Sequence, residues 1–174
     1  GMLWNDTWLK HSFDLPKTKI ETDSYVAVQL IEKMGKLNAR TLKSMAEELE
    51  GTFVLTFLEE KTNDLWLVKG DNPITILDFP ELGFIAYAST DSILLNAIKS
   101  NKMLYMYYKA AVDNEDVTRV KEVHMLDGDI LHYDYSRNKW NRHKFDTSLL
   151  FYNRYTYNYN YGYGYRYSGG GATK

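Results

Sequence analysis

The chain has 174 residues, a mass of 20.3 kDa and a formal charge of −2 from 21 basic and 23 acidic side chains. This length suits one domain with its own core, and the charge balance is not that of a nucleic-acid-binding protein. The absence of cysteine excludes disulfides, thiolate metal sites and thiol nucleophiles. No apolar run has the length of a membrane span, so we expect a soluble, cytoplasmic protein that binds neither nucleic acid nor membrane.

The amino end carries neither a basic region nor a continuous apolar segment, and no targeting peptide is predicted. Gly1 before Met2 is typical of a residue left by an expression vector. Met2 is therefore the expected native start.

Composition changes sharply near residue 150. Residues 151–174 contain 8 of the 15 tyrosines and carry a charge of +3, whereas residues 1–150 carry −5. We therefore predict a domain at 1–150 and a Tyr/Gly-rich low-complexity tail at 151–174. Tyrosine and polar residues alternate from Tyr155 to Tyr167. This pattern leaves two interpretations open, an unstructured low-complexity tail or a strand added to a sheet edge of its own or a neighbouring subunit.

Two amphipathic helices are indicated by apolar residues at helical spacing. Their apolar faces consist of Ala27, Leu30, Ile31 and Met34 in the first helix and of Leu42, Met45, Ala46 and Leu49 in the second. Residues 22–24 and Asn38 supply capping side chains before them, and Gly35 and Gly51 are typical of their ends.

After Gly51 the apolar period changes to two, which predicts strands. Residues 52–59 are apolar on both faces and predict a central strand. Further strands are expected at 65–68, 74–77, 84–88, 117–125, 130–135 and 139–145, the last three as a meander. Residues 90–99 predict a short helix, and 103–112 fit either a helix or a strand. The order indicates an α+β fold with a mainly antiparallel sheet.

Five short segments, taken in order, resemble the second half of the class II glutamine amidotransferase domain, the N-terminal-nucleophile (Ntn) glutaminase domain. They are residues 21–24 (Glu-Thr-Asp-Ser), 49–53 (Leu-Glu-Gly-Thr-Phe), 70–74 (Gly-Asp-Asn-Pro-Ile), 88–89 (Ala-Ser) and 123–129 (Val-His-Met-Leu-Asp-Gly-Asp). The resemblance covers Met2 to about Tyr135. It implies an αββα sandwich and a family reaction in which glutamine is hydrolysed to glutamate and ammonia, without a cofactor.

The resemblance also implies roles for two residues. Asp23 matches the family acid that binds the α-amino group of glutamine, although capping of the helix that follows explains this residue equally well. Asn5 matches an asparagine that follows the oxyanion-hole Asn-Gly pair. Tyr25 departs from the glutamate of the family. The nucleophilic N-terminal cysteine and the Asn-Gly pair have no counterpart, so the chain is expected to be inactive and to form an incomplete Ntn-hydrolase-like sandwich.

An incomplete sandwich is expected to expose apolar surface and open sheet edges. Self-association as a homo-oligomer, or a separate N-terminal half, would cover them. Glutamine is the small-molecule partner that the family implies. The alternative is a non-catalytic binding or assembly module on the same scaffold, which uses the tyrosine-rich tail.

Side chains with other chemistry are few. His124 and His132 lie on predicted neighbouring strands with Asp134 nearby, so a metal site or an acid/base pair competes with ordinary solvated histidines. No ligand spacing supports a metal, and none is predicted. Ser89 and Ser92 lack the G-x-S-x-G context of a hydrolase nucleophile.

Overall fold

The computed structural model of the chain describes residues 1–150, and the predicted tail at 151–174 lies outside this part. The helices are α1 (Asp6–Ser12), α2 (Tyr25–Met34), α3 (Ala39–Glu48), α4 (Asp91–Ser100) and α5 (Lys102–Asp113), with a short 3₁₀ turn at Tyr135–Arg137. The strands are β1 (Met2–Leu3), β2 (Gly51–Thr52), β3 (Val54–Glu59), β4 (Asp64–Lys69), β5 (Thr75–Phe79), β6 (Phe84–Ala88), β7 (Lys121–Glu122), β8 (Asp129–Asp134) and β9 (Lys139–Lys144).

The strands form three antiparallel sheets. The four-stranded sheet has the order β3-β4-β8-β9, the three-stranded sheet has the order β6-β5-β7, and β1 pairs with β2. The predicted α+β class with mainly antiparallel pairing is confirmed. Every helix within residues 1–150 is too short or too polar to traverse a bilayer.

Three apolar clusters stack these elements in layers. The first joins helices α1 to α3 to one face of the four-stranded sheet, where Trp66, Val68 and Ile130 are buried. Leu67 and Leu131 point to the opposite face and pack against Ile76 of the three-stranded sheet. The other face of that sheet packs against α4 and α5. Alternation along the strands thus places a helix layer outside each of two facing sheets.

The helices predicted from periodicity are confirmed. Helix α2 ends at Gly35, which adopts a left-handed φ of +100° that favours glycine. Asn38 accepts hydrogen bonds from the backbone of Arg40 and Thr41 and forms a capping box before α3. Helix α4 matches the prediction at 90–99, and the ambiguous segment at 103–112 forms α5.

Two predictions about strands are wrong. Residues 52–59 do not form a central strand, since β3 pairs only with β4 and is an edge of the described sheet, with Leu58 63% exposed. Residues 117–125 do not begin a meander, because only β7 forms there and it pairs with β5 in the other sheet. Apolar periodicity predicts which faces of a strand can be buried, but it does not identify the strand's partners.

Candidate functional site

The beginning of the chain is built into the fold through β1. Met2 pairs with Thr52 and Leu3 pairs with Gly51, and the amide of Trp4 donates to the carbonyl of Glu50. Gly51 adopts a φ of +137°, and a Cβ at this position would lie 2.1 Å from the carbonyl oxygen of Met2. Only glycine allows this close approach of the two strands.

Asp23 connects this two-stranded sheet to α2. Its Oδ2 accepts a hydrogen bond of 2.6 Å from the amide of Leu3, and its Oδ1 accepts one of 2.7 Å from the amide of Ser24. The predicted side-chain cap is not formed, since α2 begins after Ser24 without a capping side-chain hydrogen bond. The partly buried carboxylate keeps free lone pairs, because an ionised carboxylate accepts more than two hydrogen bonds.

Asn5 has a structural role. Its side chain is buried, its Nδ2 donates to the carbonyl of Glu48 at 2.8 Å, and its Oδ1 accepts from the amide of Glu50 at 3.1 Å. Both amide atoms are thus used by the backbone where α3 ends and β2 begins. Asn5 fixes this junction against the start of the chain.

A cavity of about 570 Å³ opens beside Gly1. Its walls come from both sheets and from the loop before β5, and the lining residues are Gly1, Val54, Thr56, Asn72, Pro73, Ile74, Tyr87, Ala88 and Ser89. A second cavity of about 560 Å³ shares Pro73, Ile74 and Ser89 and continues to Lys69 and the first residues of α4. The candidate site lies where the edges of β3 and β6 leave the space between the sheets open.

Four of the five segments that carry the family resemblance meet around Gly1–Leu3. Asp23 of the first segment bonds to Leu3, and β2 of the second pairs with β1. The third and fourth segments, 70–74 and 88–89, line the cavity. The fifth lies elsewhere, with Val123 and Met125 in the core between the sheets.

The fifth segment also contains Asp129, whose side chain is fully buried. It accepts a hydrogen bond of 2.7 Å from the amide of Leu126 and forms ion pairs with Arg142 and Lys144. These contacts hold the turn before β8 against β9, so Asp129 is structural.

The cavity walls offer groups for hydrogen bonding rather than for nucleophilic attack. Thr56, Asn72, Tyr87 and Ser89 bring hydroxyl and amide groups to the cavity, and neither histidine nor a carboxylate is among its lining residues. Asp23 does not line it either, since its carboxylate lies beyond β1. The arrangement can hold a small polar molecule, and the side chains of acid/base type that line the two cavities are Tyr87 in the first and Lys69 and Asp91 in the second.

Of the two interpretations left open for His124, His132 and Asp134, the structure favours histidines with ordinary separate partners. His132 bonds to Asp64 through Nε2 at 3.1 Å and stacks on Trp66 with ring centroids 3.9 Å apart. His124 is exposed and pairs with Glu122.

Asp134 has partners of its own. Ser136 and Arg137 bond to it, and the hydrogen bond from Ser136 is the main reason that the pKa of Asp134 is lowered. Residues 1–150 hold no cluster of three acidic or histidine side chains suited to a metal ion.

Sequence reasoning missed the polar side chains Asn72 and Tyr87 of the cavity. Asn72 lies within a segment of the resemblance, which is the only signal that pointed to it, and Tyr87 carried none. Neither the models of protein families nor the sequences of curated proteins match this chain. The resemblance therefore rests on the five sequence segments alone.

Proposed function

We propose that this chain has the scaffold of a class II glutamine amidotransferase domain without its nucleophile and binds glutamine without hydrolysing it. The scaffold corresponds to the second half of an Ntn-hydrolase-like αββα sandwich. Asp23 would hold the α-amino group of the ligand beside β1.

The convergence of four resemblance segments around Gly1–Leu3 carries the proposal. These segments are far apart in the sequence, and chance matches would scatter over the surface. The two facing sheets with a helix layer on each side support the same scaffold. The open edge of β3 is what a sandwich lacking its first half should present.

The absence of catalysis follows from the chemistry around the cavity. Class II amidotransferases resemble this chain in scaffold but use an N-terminal cysteine, and this chain has no cysteine. Ser89 lines the cavity beside Gly1, which no histidine or carboxylate lines, and the carboxylate of Asp91 in the adjoining cavity accepts a hydrogen bond from Thr75 instead. Glutamine bound at this site would therefore meet no activated nucleophile.

Two assays on the full chain test the proposal. Incubation with glutamine should release no ammonia above a buffer blank, and turnover that survives repurification and is lost in the Ser89→Ala variant would contradict the inactive scaffold. Isothermal titration should show binding of glutamine and no binding of glutaramate, the analogue without the α-amino group. Equal binding of both ligands, or of neither, would contradict a role for Asp23 in ligand binding.

A non-catalytic assembly module on the same scaffold is the second candidate. The open edges of β3 and β6 favour it, because unpaired backbone groups at a sheet edge accept an added strand. A homo-oligomer or a separate N-terminal half would supply such a strand. Sedimentation analysis of the full chain and of a chain ending at residue 150 distinguishes the candidates. Only assembly through the tail predicts that the truncated chain sediments as a monomer while the full chain sediments as an oligomer.

A further inference from the structure

The outer edge of β3 is open along its whole length. Within residues 1–150, β3 pairs only with β4, and Thr56 and Leu58 on its inter-sheet face are exposed. An unpaired strand edge normally carries a charge, a proline or a bulge that blocks pairing with another chain. The sequence of β3 is Val-Leu-Thr-Phe-Leu-Glu, and its only charged residue is the terminal Glu59. The strand contains no proline.

The free edge at the far side of the same sheet differs in charge. Strand β9 reads Lys-Trp-Asn-Arg-His-Lys and follows Arg137, so this edge keeps a net positive charge although Arg142 and Lys144 pair with Asp129 and Arg137 pairs with Asp134. The end of β3 is acidic, with Glu59 followed by Glu60. A segment that carries positive charge and no acid is therefore favoured beside Glu59 and Glu60, even with Lys61 next to them, over the net positive edge of β9.

The tail has the composition that the β3 edge requires. Between Tyr155 and Tyr167 every second residue is tyrosine, and the residues between them are Thr, Asn, Gly and Arg. An extended segment of this kind has one aromatic face and one polar face, as a half-buried edge strand does. The basic residues of the tail are Arg154, Arg166 and Lys174, and it has no acidic residue.

The open cavity beside β3 has room for the aromatic face. A cavity of about 150 Å³ is sufficient for one benzene ring, and the cavity beside β3 has a volume of about 570 Å³. Val54 and Thr56 of β3 form one of its walls, and Tyr87 of β6, 42% exposed, forms another. Tyrosines on a strand added to β3 would enter this space on the same face as Thr56.

The last described residues bring the chain to β3. Phe145 stacks on Phe53, the residue before β3, with ring centroids 6.2 Å apart. The amide of Asp146 donates to Glu47, and Leu150 is buried in the cluster beneath the helices. The chain thus passes the start of β3 at Phe145, five residues before the last described residue. Strand β3 has six residues and a length of about 20 Å, so six residues of extended tail are long enough to pair along all of it.

We propose that residues 155–167 add as a strand to the free edge of β3 of their own chain, with their tyrosines in the cavity beside Tyr87. The added strand completes the four-stranded sheet on its open side and covers Leu58. This inference goes beyond glutamine binding, and its tests do not use glutamine, although it places tyrosines in the cavity of the candidate site.

A single spin label on the full chain tests the location. Because the chain has no cysteine, Asn160→Cys gives one site for a nitroxide on the polar face of the tail. Amide signals of β3 and Tyr87 should lose most of their intensity, and those of β9, four strand spacings from the added strand, should lose clearly less. Full intensity throughout β3, or broadening at β9 instead, would overturn the proposal.

A mixed sample tests whether the tail acts within its own chain. Protein that carries the nitroxide but no ¹⁵N is mixed with ¹⁵N-labelled protein that carries no nitroxide. The proposal expects no broadening of β3 in this mixture. Broadening there would show that the tail pairs with a second copy and would overturn the intramolecular strand.

Matched variants test the aromatic face. Replacement of Tyr157, Tyr159, Tyr161 and Tyr163 by serine keeps the length and the charge, and should accelerate hydrogen exchange of the β3 amides that point away from β4 by roughly tenfold. Replacement of Asn158 and Asn160 by serine alters only the polar face and should leave those rates unchanged. Equal rates in the tyrosine variant and the original chain would contradict the proposal.

Discussion

The carboxylate of Asp23 accepts a hydrogen bond of 2.6 Å from the backbone amide of Leu3, 20 residues earlier in the chain. The contact fixes β1 against the start of α2. Leu3 also pairs with Gly51. Leu3 therefore connects β1, to which it belongs, both to the start of α2 and to the segment that leads into β3. Asp23 therefore has a structural contact as well as the ligand contact that we propose.

Replacing Asp23 should separate its two roles. Asp23→Ala removes the acceptor for Leu3 and should lower the free energy of unfolding by about 1–2 kcal/mol, as expected for a hydrogen bond to a charged group that is partly exposed. Asp23→Asn keeps an acceptor oxygen and should cost clearly less. Urea unfolding followed by tryptophan fluorescence measures both variants. An Asp23→Ala variant as stable as the original chain would show that the hydrogen bond to Leu3 contributes nothing.

Asn5 should be among the polar residues least tolerant of change. Asn5→Ala leaves the carbonyl of Glu48 and the amide of Glu50 without their partner and should cost about 2–3 kcal/mol. Thr7→Ala, at an exposed position on the neighbouring helix, is the matched control and should change stability by less than about 0.5 kcal/mol. Chemical denaturation of both variants provides the comparison, and a similar effect of the two changes would refute the buried role of Asn5.

The core between the sheets predicts a strong contrast between two leucines. Leu67→Ala empties space in a fully buried position between the sheets and should cost about 2–5 kcal/mol. Leu126 lies in the turn before β8 and is 65% exposed. Leu126→Ala should therefore change stability by less than about 0.5 kcal/mol. Thermal and urea unfolding measure the contrast. A small loss for Leu67→Ala would mean that the two sheets do not face each other as described.

Glu47 should stabilise the fold only above the acidic range. The hydrogen bond from Lys43, followed by that from the amide of Asp146, lowers the pKa of Glu47 from its ordinary value of 4.5. The group therefore contributes stability that is fully present above pH 4.5 and is lost as the pH falls through the lower value of the folded state.

Glu47→Gln is the variant that tests this dependence. At neutral pH it should be less stable than the original chain by up to about 1 kcal/mol, because the contacts are at the surface. The difference should vanish at strongly acidic pH, where Glu47 is protonated. Unfolding curves between pH 7 and pH 3 measure it, and a difference that does not change with pH would contradict the lowered pKa.

The local elements were predictable from the sequence, because their signals lie within a few residues. Helices α2 and α3 follow from apolar spacing and from Gly35 and Asn38 at their ends. Residues 103–112 could not be assigned, since an apolar run with several tyrosines fits helix and strand alike. Packing of α5 against α4 and the three-stranded sheet decides it in the fold.

The pairings of the strands could not be predicted, because they depend on residues far apart in the chain. Strand β3 has apolar residues on both faces, yet it lies at an edge. Strand β7 precedes β8 in the chain but pairs with β5 in the other sheet. Similarly, nothing in the local sequence indicates that Asn5 binds the backbone 43 and 45 residues later.

The most direct test of the proposed scaffold is a map of glutamine on the ¹⁵N-labelled full chain. Titration should shift the amide signals of Leu3 and Ser24, whose N–H groups donate to Asp23, and glutaramate should leave them unchanged. The Asp23→Asn variant should lose the response to glutamine while keeping its dispersed spectrum. If both amide signals remain in place at saturating glutamine, or shift equally in the Asp23→Asn variant, Asp23 is not the binding residue and the proposed function is wrong.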